Sequence, residues 1–305
     1  MNAGHTHSHG TATGRHRRRL VIVLALTLSV VVVQVIGGLA SGSLALLADA
    51  GHMLTDATGV AIALIAAALA GRPATKSRTY GLQRAEILAA LANAVLLGVL
   101  GVWVIVEAVK RWNDPPEVAT GLMLMVAVAG AIANLVSLLI LRGGQSESLN
   151  LRGAYLEVLG DLVGSVAVIV AGVVIATTGY TRADVIASIA IGAFILPRAW
   201  SLLREVIDVL LEATPKGIDL DVVREHIKGV RGVVDVHDLH AWTITSGVPA
   251  LSAHVVVDQE CIRDGRSGEV LDALAECLGE HFDTEHCTFQ LEPVGHGAHE
   301  PVAHA

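Results

Sequence analysis

His52 and Asp56 stand four residues apart in the apolar stretch GHMLTDATG (51–59), and Glu157 and Asp161 repeat that spacing in EVLGD (157–161). Residues four apart share a helix face, so each pair offers two metal-capable groups side by side. An ionised side chain at mid-bilayer costs about 2.5–3.5 kcal/mol on insertion scales. Such groups are not kept without a use. Two such helices set face to face bring together one imidazole and three carboxylates, a set that suits a tetrahedral divalent cation such as Zn²⁺. Without a cation the three acids repel one another and some retain protons. Metal binding then displaces protons, and proton binding displaces metal. His52 is the only histidine among residues 20–211. The competing reading of each pair is a polar cluster that ties two helices together; two matched pairs at equal spacing favour the metal site.

Other polar residues in the apolar runs carry less. Asp49, one turn before His52, reads either as a support to the site or as a helix-start residue near the outer interface. Asn134 and Ser137 read as interhelical hydrogen-bonding groups. Glu107, Lys110, Asp184, Arg198, Arg204 and Asp208 lie nearer segment ends, where snorkelling or headgroups help.

The elements that must hold these pairs follow from composition. Charged residues make up 16% of the 305-residue chain and hydrophobic ones 53%, against roughly 25% charged for a soluble globular chain. A helix needs about 20 apolar residues to cross the hydrocarbon core. Six segments qualify: about 18–40, 44–70, 82–110, 118–142, 150–178 and 183–210. Gly, Pro and Ser clusters separate them. The first run is long for a signal peptide and lacks a clear cleavage site, so it reads as a retained span. Arg15, Arg17, Arg18 and Arg19, the group Arg72, Lys76, Arg78 and Arg84, and the pair Arg142 and Arg152 fall on one side. The positive-inside rule makes that side the cytoplasm, with both termini there, in the inner membrane. Lys110 and Arg111 go against the rule.

Residues 212–293 read as a soluble module with 16 acids against 6 Lys and Arg. That acidity argues against nucleic acid as a partner. Periodicity predicts helices over 219–230 and 265–282 and strands over 232–245, 250–258 and 287–293, the order α-β-β-α-β. Cys261, Cys277 and Cys287 all lie here without a CxxC, as expected of reduced thiols. Strict alternation puts His237 and His240 on opposite faces of one strand. The remaining residues, 1–17 and 294–305, read as tails. HTHSH (5–9), His296, His299 and His304 offer weak Zn²⁺ capture without a fold. His226 and His281 fall on helices and read as solvated.

The chain has neither HExxH nor GxxxxGK[ST]. A metalloprotease and an ATP-driven pump are therefore not expected, and nor is an organic cofactor. Three spans with little polar content argue against a channel. The rival from another class is a membrane-bound divalent-metal sensor, which would need the tail histidines but not the buried pairs.

With these residues in view the chain resembles the cation diffusion facilitator family of zinc, cadmium and cobalt efflux transporters. The resemblance rests on SGSLALLADAGHMLTDATG (41–59), YGLQRAEILAALANAVLLG (80–98), SLNLRGAYLEVLGDLVGSVAVI (148–169) and VVDVHDLHAWTITSGVPALSAHVVV (233–257). It implies a ferredoxin-like cytoplasmic domain, a homodimer and metal-for-proton antiport. It places the transport site at His52, Asp56, Glu157 and Asp161. It implies a cytoplasmic metal site at His237, His254 and Glu292, with His286 and His240 as further candidates. It also implies a charge interlock between Arg84 and Glu212, whose alternative is two solvated interface charges. Many zinc-selective members carry His where this chain has Glu157. One nitrogen with three oxygens is a harder ligand set and should loosen discrimination against Co²⁺, Cd²⁺ or Mn²⁺; zinc stays first because His52 is kept, and Co²⁺, Mn²⁺ or Fe²⁺ as main substrate is the alternative. The segment GRPATKSRTYG (71–81) lacks the His and Asp that some members use for a further site, so no metal is expected there.

Overall fold

The computed structural model describes residues 12–142, 149–282 and 286–296, leaving aside the side chains of 12–18, 149–151, 280 and 281. Six long helices come first: α1 (Ala12–Ser41), α2 (Leu44–Ala70), α3 (Ala85–Arg111), α4 (Thr120–Arg142), α5 (Leu149–Thr178) and α6 (Arg182–Leu210). All six are long and apolar enough to cross a membrane. Large apolar side chains such as Leu39, Leu64, Met125 and Leu156 point outward and are exposed. In lipid that outward face needs no polar cover, because each helix satisfies its own backbone.

Contacts divide the chain into two compact units, residues 1–62 with 92–201, and residues 63–91 with 202–305. In the first, α1, α4 and α5 pack on one another. Ala45, Leu46, Ala48, Leu97, Met123, Val168 and Ile195 form a continuous apolar interior. Glycine permits the closest approaches. A Cβ on Gly164 would sit 2.4 Å from Asp49 Oδ1, and one on Gly101 would sit 2.8 Å from Leu196. Small residues at such crossings let helices pack where lipid supplies no hydrophobic drive.

The second unit holds the mixed module: α7 (Leu220–Lys228), β1 (Val233–Thr245), β2 (Val248–Val257), α8 (Gln259–Arg263), α9 (Ser267–Phe282) and β3 (His286–Pro293). The sheet order is β1-β2-β3, with β1–β2 antiparallel and β2–β3 parallel. Val223 and Ile227 of α7 and Val270, Leu274 and Leu278 of α9 cover one sheet face through Val236, Leu251, Ala253 and Val255. The short α8 was not legible in the sequence. Asp258 starts it by accepting from the Cys261 amide, a capping role common to aspartate.

One strand expectation is overturned. The pairing slips between His237 and His240, and Asp238 takes a left-handed φ of 49°. Val236 and Leu239 are both buried, as is Ala241. A bulge inserts one residue and flips the alternation beyond it, so His237 and His240 lie on the same, helix-free face rather than on opposite ones.

Candidate metal site

The middle of α2 brings His52 and Asp56 to one face, with His52 Nε2 3.5 Å from Asp56 Oδ2. Asp161 of α5 joins them. Ligand atoms of His52, Asp56 and Asp161 all lie within 4.8 Å of one another, and all three residues are buried. His52 Nδ1, Asp56 Oδ1 and Asp161 Oδ1 have no hydrogen-bond partner among the described residues. A buried polar atom left unpaired costs about 1–3 kcal/mol, so three of them together favour a bound ion, proton or water at this place. One imidazole and two carboxylates fit a hard or borderline divalent cation, with the fourth position left for a further oxygen.

Glu157 lies one turn before Asp161 but outside that close set. Its Oε1 is 3.6 Å from Arg198 Nη2. Arg198 Nη1 lies 3.2 Å from Asp56 Oδ2. Arg198 was expected to snorkel from near a segment end; instead it meets the acids. The signal was depth. Counted by helical rise, Arg198 lies about 18 Å from the Leu210 end of α6, and Asp161 about 18 Å from the Leu149 end of α5. The two therefore sit level.

A polar layer supports the cluster. Asp49 is 1% exposed and accepts from Gln34 Nε2 of α1 at 2.8 Å and from Ser165 Oγ of α5 at 3.2 Å. Asn134 of α4 donates to Ser165 at 3.4 Å, whereas Ser137 Oγ finds no partner among the described residues. Of the two roles open to Asp49, this is the support. Asp184 holds the N-terminal ends of α2 and α6 together. It accepts from Ser43 Oγ at 2.5 Å, Leu44 N at 2.8 Å and Ala45 N at 3.3 Å. An aspartate on a neighbouring helix thus does the work of an N-cap. Arg111, which ran against the charge rule, pairs with Glu107 at 3.1 Å and donates to the Gly42 carbonyl; Glu107 also meets Lys110 at 3.6 Å.

A second cluster lies on the helix-free face of the small sheet. His237 of β1 is paired in register with His254 of β2. Glu292 of β3 is 1% exposed; its Oε1 is 2.8 Å from His254 Nδ1 and its Oε2 is 3.5 Å from His237 Nε2. Ligand atoms of these three also lie within 4.8 Å of one another. His240 and His286 are not among them. His240 Nε2 meets Asp238 at 3.0 Å, and His286 stacks edge-on against Tyr80. At the far end of β1's first half, Lys228 is 2.9 Å from Asp235 and holds that carboxyl below its ordinary range.

Arg84 Nη2 and Glu212 Oε1 are 3.0 Å apart, both partly exposed. Beside them a groove of about 1010 Å³ is lined by Arg78, Tyr80, Arg84, Glu212, His240 and Trp242. His226 bonds the Val222 carbonyl and rests on Phe282, and His296 is exposed. The remaining tail histidines and the His281 side chain lie outside the described residues.

The family model of the cation efflux transmembrane domain matches residues 20–211, and that of the cation efflux protein cytoplasmic domain matches residues 215–294. The chain belongs to the cation efflux, or cation diffusion facilitator, family. Six membrane helices followed by a small α+β domain are the fold of that family. Among relatives, the metal cation efflux system protein CzcD of Cupriavidus metallidurans is 46% identical over 86% of this chain and 82% of its own. The cadmium, cobalt and zinc/H(+)-K(+) antiporter of Bacillus subtilis is 40% identical over 87% and 85%. The zinc transporter ZitB of Escherichia coli is 41% identical over 86% and 82%. A solved structure, the metal-bound C-terminal domain of the CzcD transporter, covers 25% of this chain and 99% of its own at 40% identity, with a TM-score of 0.23.

Proposed function

We propose that this cation efflux family member exports a divalent cation, zinc foremost, from the cytoplasm in exchange for protons. It works as a homodimer in the inner membrane, with both termini in the cytoplasm. His52, Asp56 and Asp161 hold the cation, and Glu157 is the third acid and fourth residue of the site. The observation that carries this reading is the buried His52–Asp56–Asp161 cluster with its partnerless nitrogen and oxygens. It is supported by the relatives named for zinc, cadmium and cobalt transport. In exchange, protons take over the carboxylates that the cation leaves. The protein carries an ion and is not a catalyst.

The test is uptake into vesicles driven by a pH gradient, with Zn²⁺, Cd²⁺, Co²⁺ and Mn²⁺ compared. Asp56→Ala and Asp161→Ala should each abolish uptake. Persistence of uptake in both would move the site elsewhere and leave a metal sensor as the better reading.

The second cluster favours a regulatory role beside transport. His237, His254 and Glu292 offer two nitrogens and one carboxylate, a set suited to Zn²⁺. A cation there would offset the acidity of two facing modules and draw them together. His240 lies at its margin, sharing Asp238 with His254, and is a weaker contributor at most; His286 pairs with Ala250, four residues along the sheet from His254, and is too far away to contribute. Arg84 and Glu212 act as the charge interlock.

A further inference from the structure

Arg198 places a permanent positive charge against the cluster from a third helix. Its two terminal nitrogens reach one carboxylate on α2 and one on α5, Asp56 at 3.2 Å and Glu157 at 3.6 Å. The Asp56 oxygen it meets is Oδ2, the one that also faces His52 Nε2 at 3.5 Å. A cation held between His52 and Asp56 would meet the guanidinium at that oxygen. Arginine's planar fork suits a bridge between two carboxylates, and it keeps its charge at any physiological pH. The contact is therefore broken at the carboxylates, by whatever cation, metal ion or proton, competes for them.

We propose that Arg198 is a tethered counter-cation that competes with the cargo metal for Asp56 and Glu157. It neutralises these acids in the empty carrier and yields Asp56 when a divalent cation binds. This rests on reading His52, Asp56, Glu157 and Asp161 as the transport site. Two further observations support it. Arg198 is 45% exposed while Asp56 is 6% exposed, so the guanidinium lies at the rim of the cluster rather than enclosed within it. Pro197 immediately precedes it inside α6. Proline removes one backbone hydrogen bond of its helix and allows a kink, which puts a joint beside the guanidinium. Arg198 does not exhaust the cluster either, because His52 Nδ1, Asp56 Oδ1 and Asp161 Oδ1 remain without partners among the described residues. A tethered competitor weakens ground-state binding of the cargo and speeds its release, so removing it should lower KM and kcat together.

The experiment is zinc and cadmium transport by the full-length protein in vesicles, with KM and kcat measured separately for Arg198→Gln and Arg198→Lys. In Arg198→Gln, KM should fall about tenfold or more, the scale of losing a charge-assisted hydrogen bond, and kcat should fall with it. Arg198→Lys keeps the charge but not the fork, so its KM should fall less. It also carries the test if Arg198→Gln does not fold. An unchanged KM in the folded variants would overturn the proposal. A raised KM would overturn it as well, since it would mark Arg198 as a brace that orients the acids. Asp161→Asn is measured in parallel. If it still transports, the transport-site reading itself has failed, whatever Arg198 does.

Discussion

As a ligand of the proposed site, Glu157 would set how hard the ligand set is. With His52 as the one nitrogen, an oxygen-rich site discriminates weakly among first-row divalent ions. Glu157→His should shift preference toward Zn²⁺ over Co²⁺ and Mn²⁺, read as the ratio of uptake rates in one vesicle preparation. An unchanged ratio would show that Glu157 does not touch the cargo. At this scale the spacing made legible which side chains share a face, and of the two one-turn pairs the fold brings His52, Asp56 and Asp161 into one cluster. The sequence was not legible for Arg198. An arginine in an apolar run looks the same whether it snorkels or pairs, and only the level of α6 against α5 decides. Glu157 was equally opaque, because a shared face does not say which of two acids turns toward an arginine.

Helices and strands show what holds these residues still. Asp184 satisfies three donors at the start of α2. Asp184→Ala leaves them buried and unpaired, which should cost about 1–3 kcal/mol, measured as a lower unfolding midpoint in detergent. Asp184→Asn should cost less, because its amide oxygen still accepts. Asp238 at the β1 bulge makes a different prediction. A left-handed φ costs an ordinary residue about 1–2 kcal/mol but is tolerated by Gly, Asn and Asp, so Asp238→Asn should keep stability while Asp238→Val lowers it. The Lys228–Asp235 pair is exposed and worth well under about 1 kcal/mol. Because the folded pKa of Asp235 is depressed, that small gain is present at neutral pH and fades as pH falls through the folded value. The six spans and the α-β-β-α-β order were readable because length and periodicity state them. The bulge was not, since one inserted residue leaves no mark on an otherwise alternating strand. The α2–α6 tie was not either, since Ser43 and Asp184 are far apart in sequence.

For the whole molecule, the two clusters make separable predictions. Zn²⁺ bound at His237, His254 and Glu292 stabilises only the folded form, by RT ln(1 + [L]/Kd). Zn²⁺ should raise the unfolding midpoint of the full-length protein, and a chelator should reverse it. In His254→Ala that rise should shrink, while uptake driven by a pH gradient at saturating metal persists. Equal stabilisation in the variant would place the metal elsewhere. The Arg84–Glu212 pair is tested by exchange: Arg84→Glu and Glu212→Arg should each slow transport, and the double variant should recover part of the rate.

The Asp184 contact with the start of α2 makes those two helices a lever with its fulcrum at one end. Asp56 rides about 18 Å from that fulcrum and Arg198 about 21 Å from it, by helical rise. A tilt of about 10° between the helices would displace Asp56 from Arg198 by about 3 Å, enough to part a hydrogen-bonded pair. Small angular play at a pinned end can therefore part or restore the Asp56–Arg198 contact midway along the two helices without unpacking their N-terminal ends.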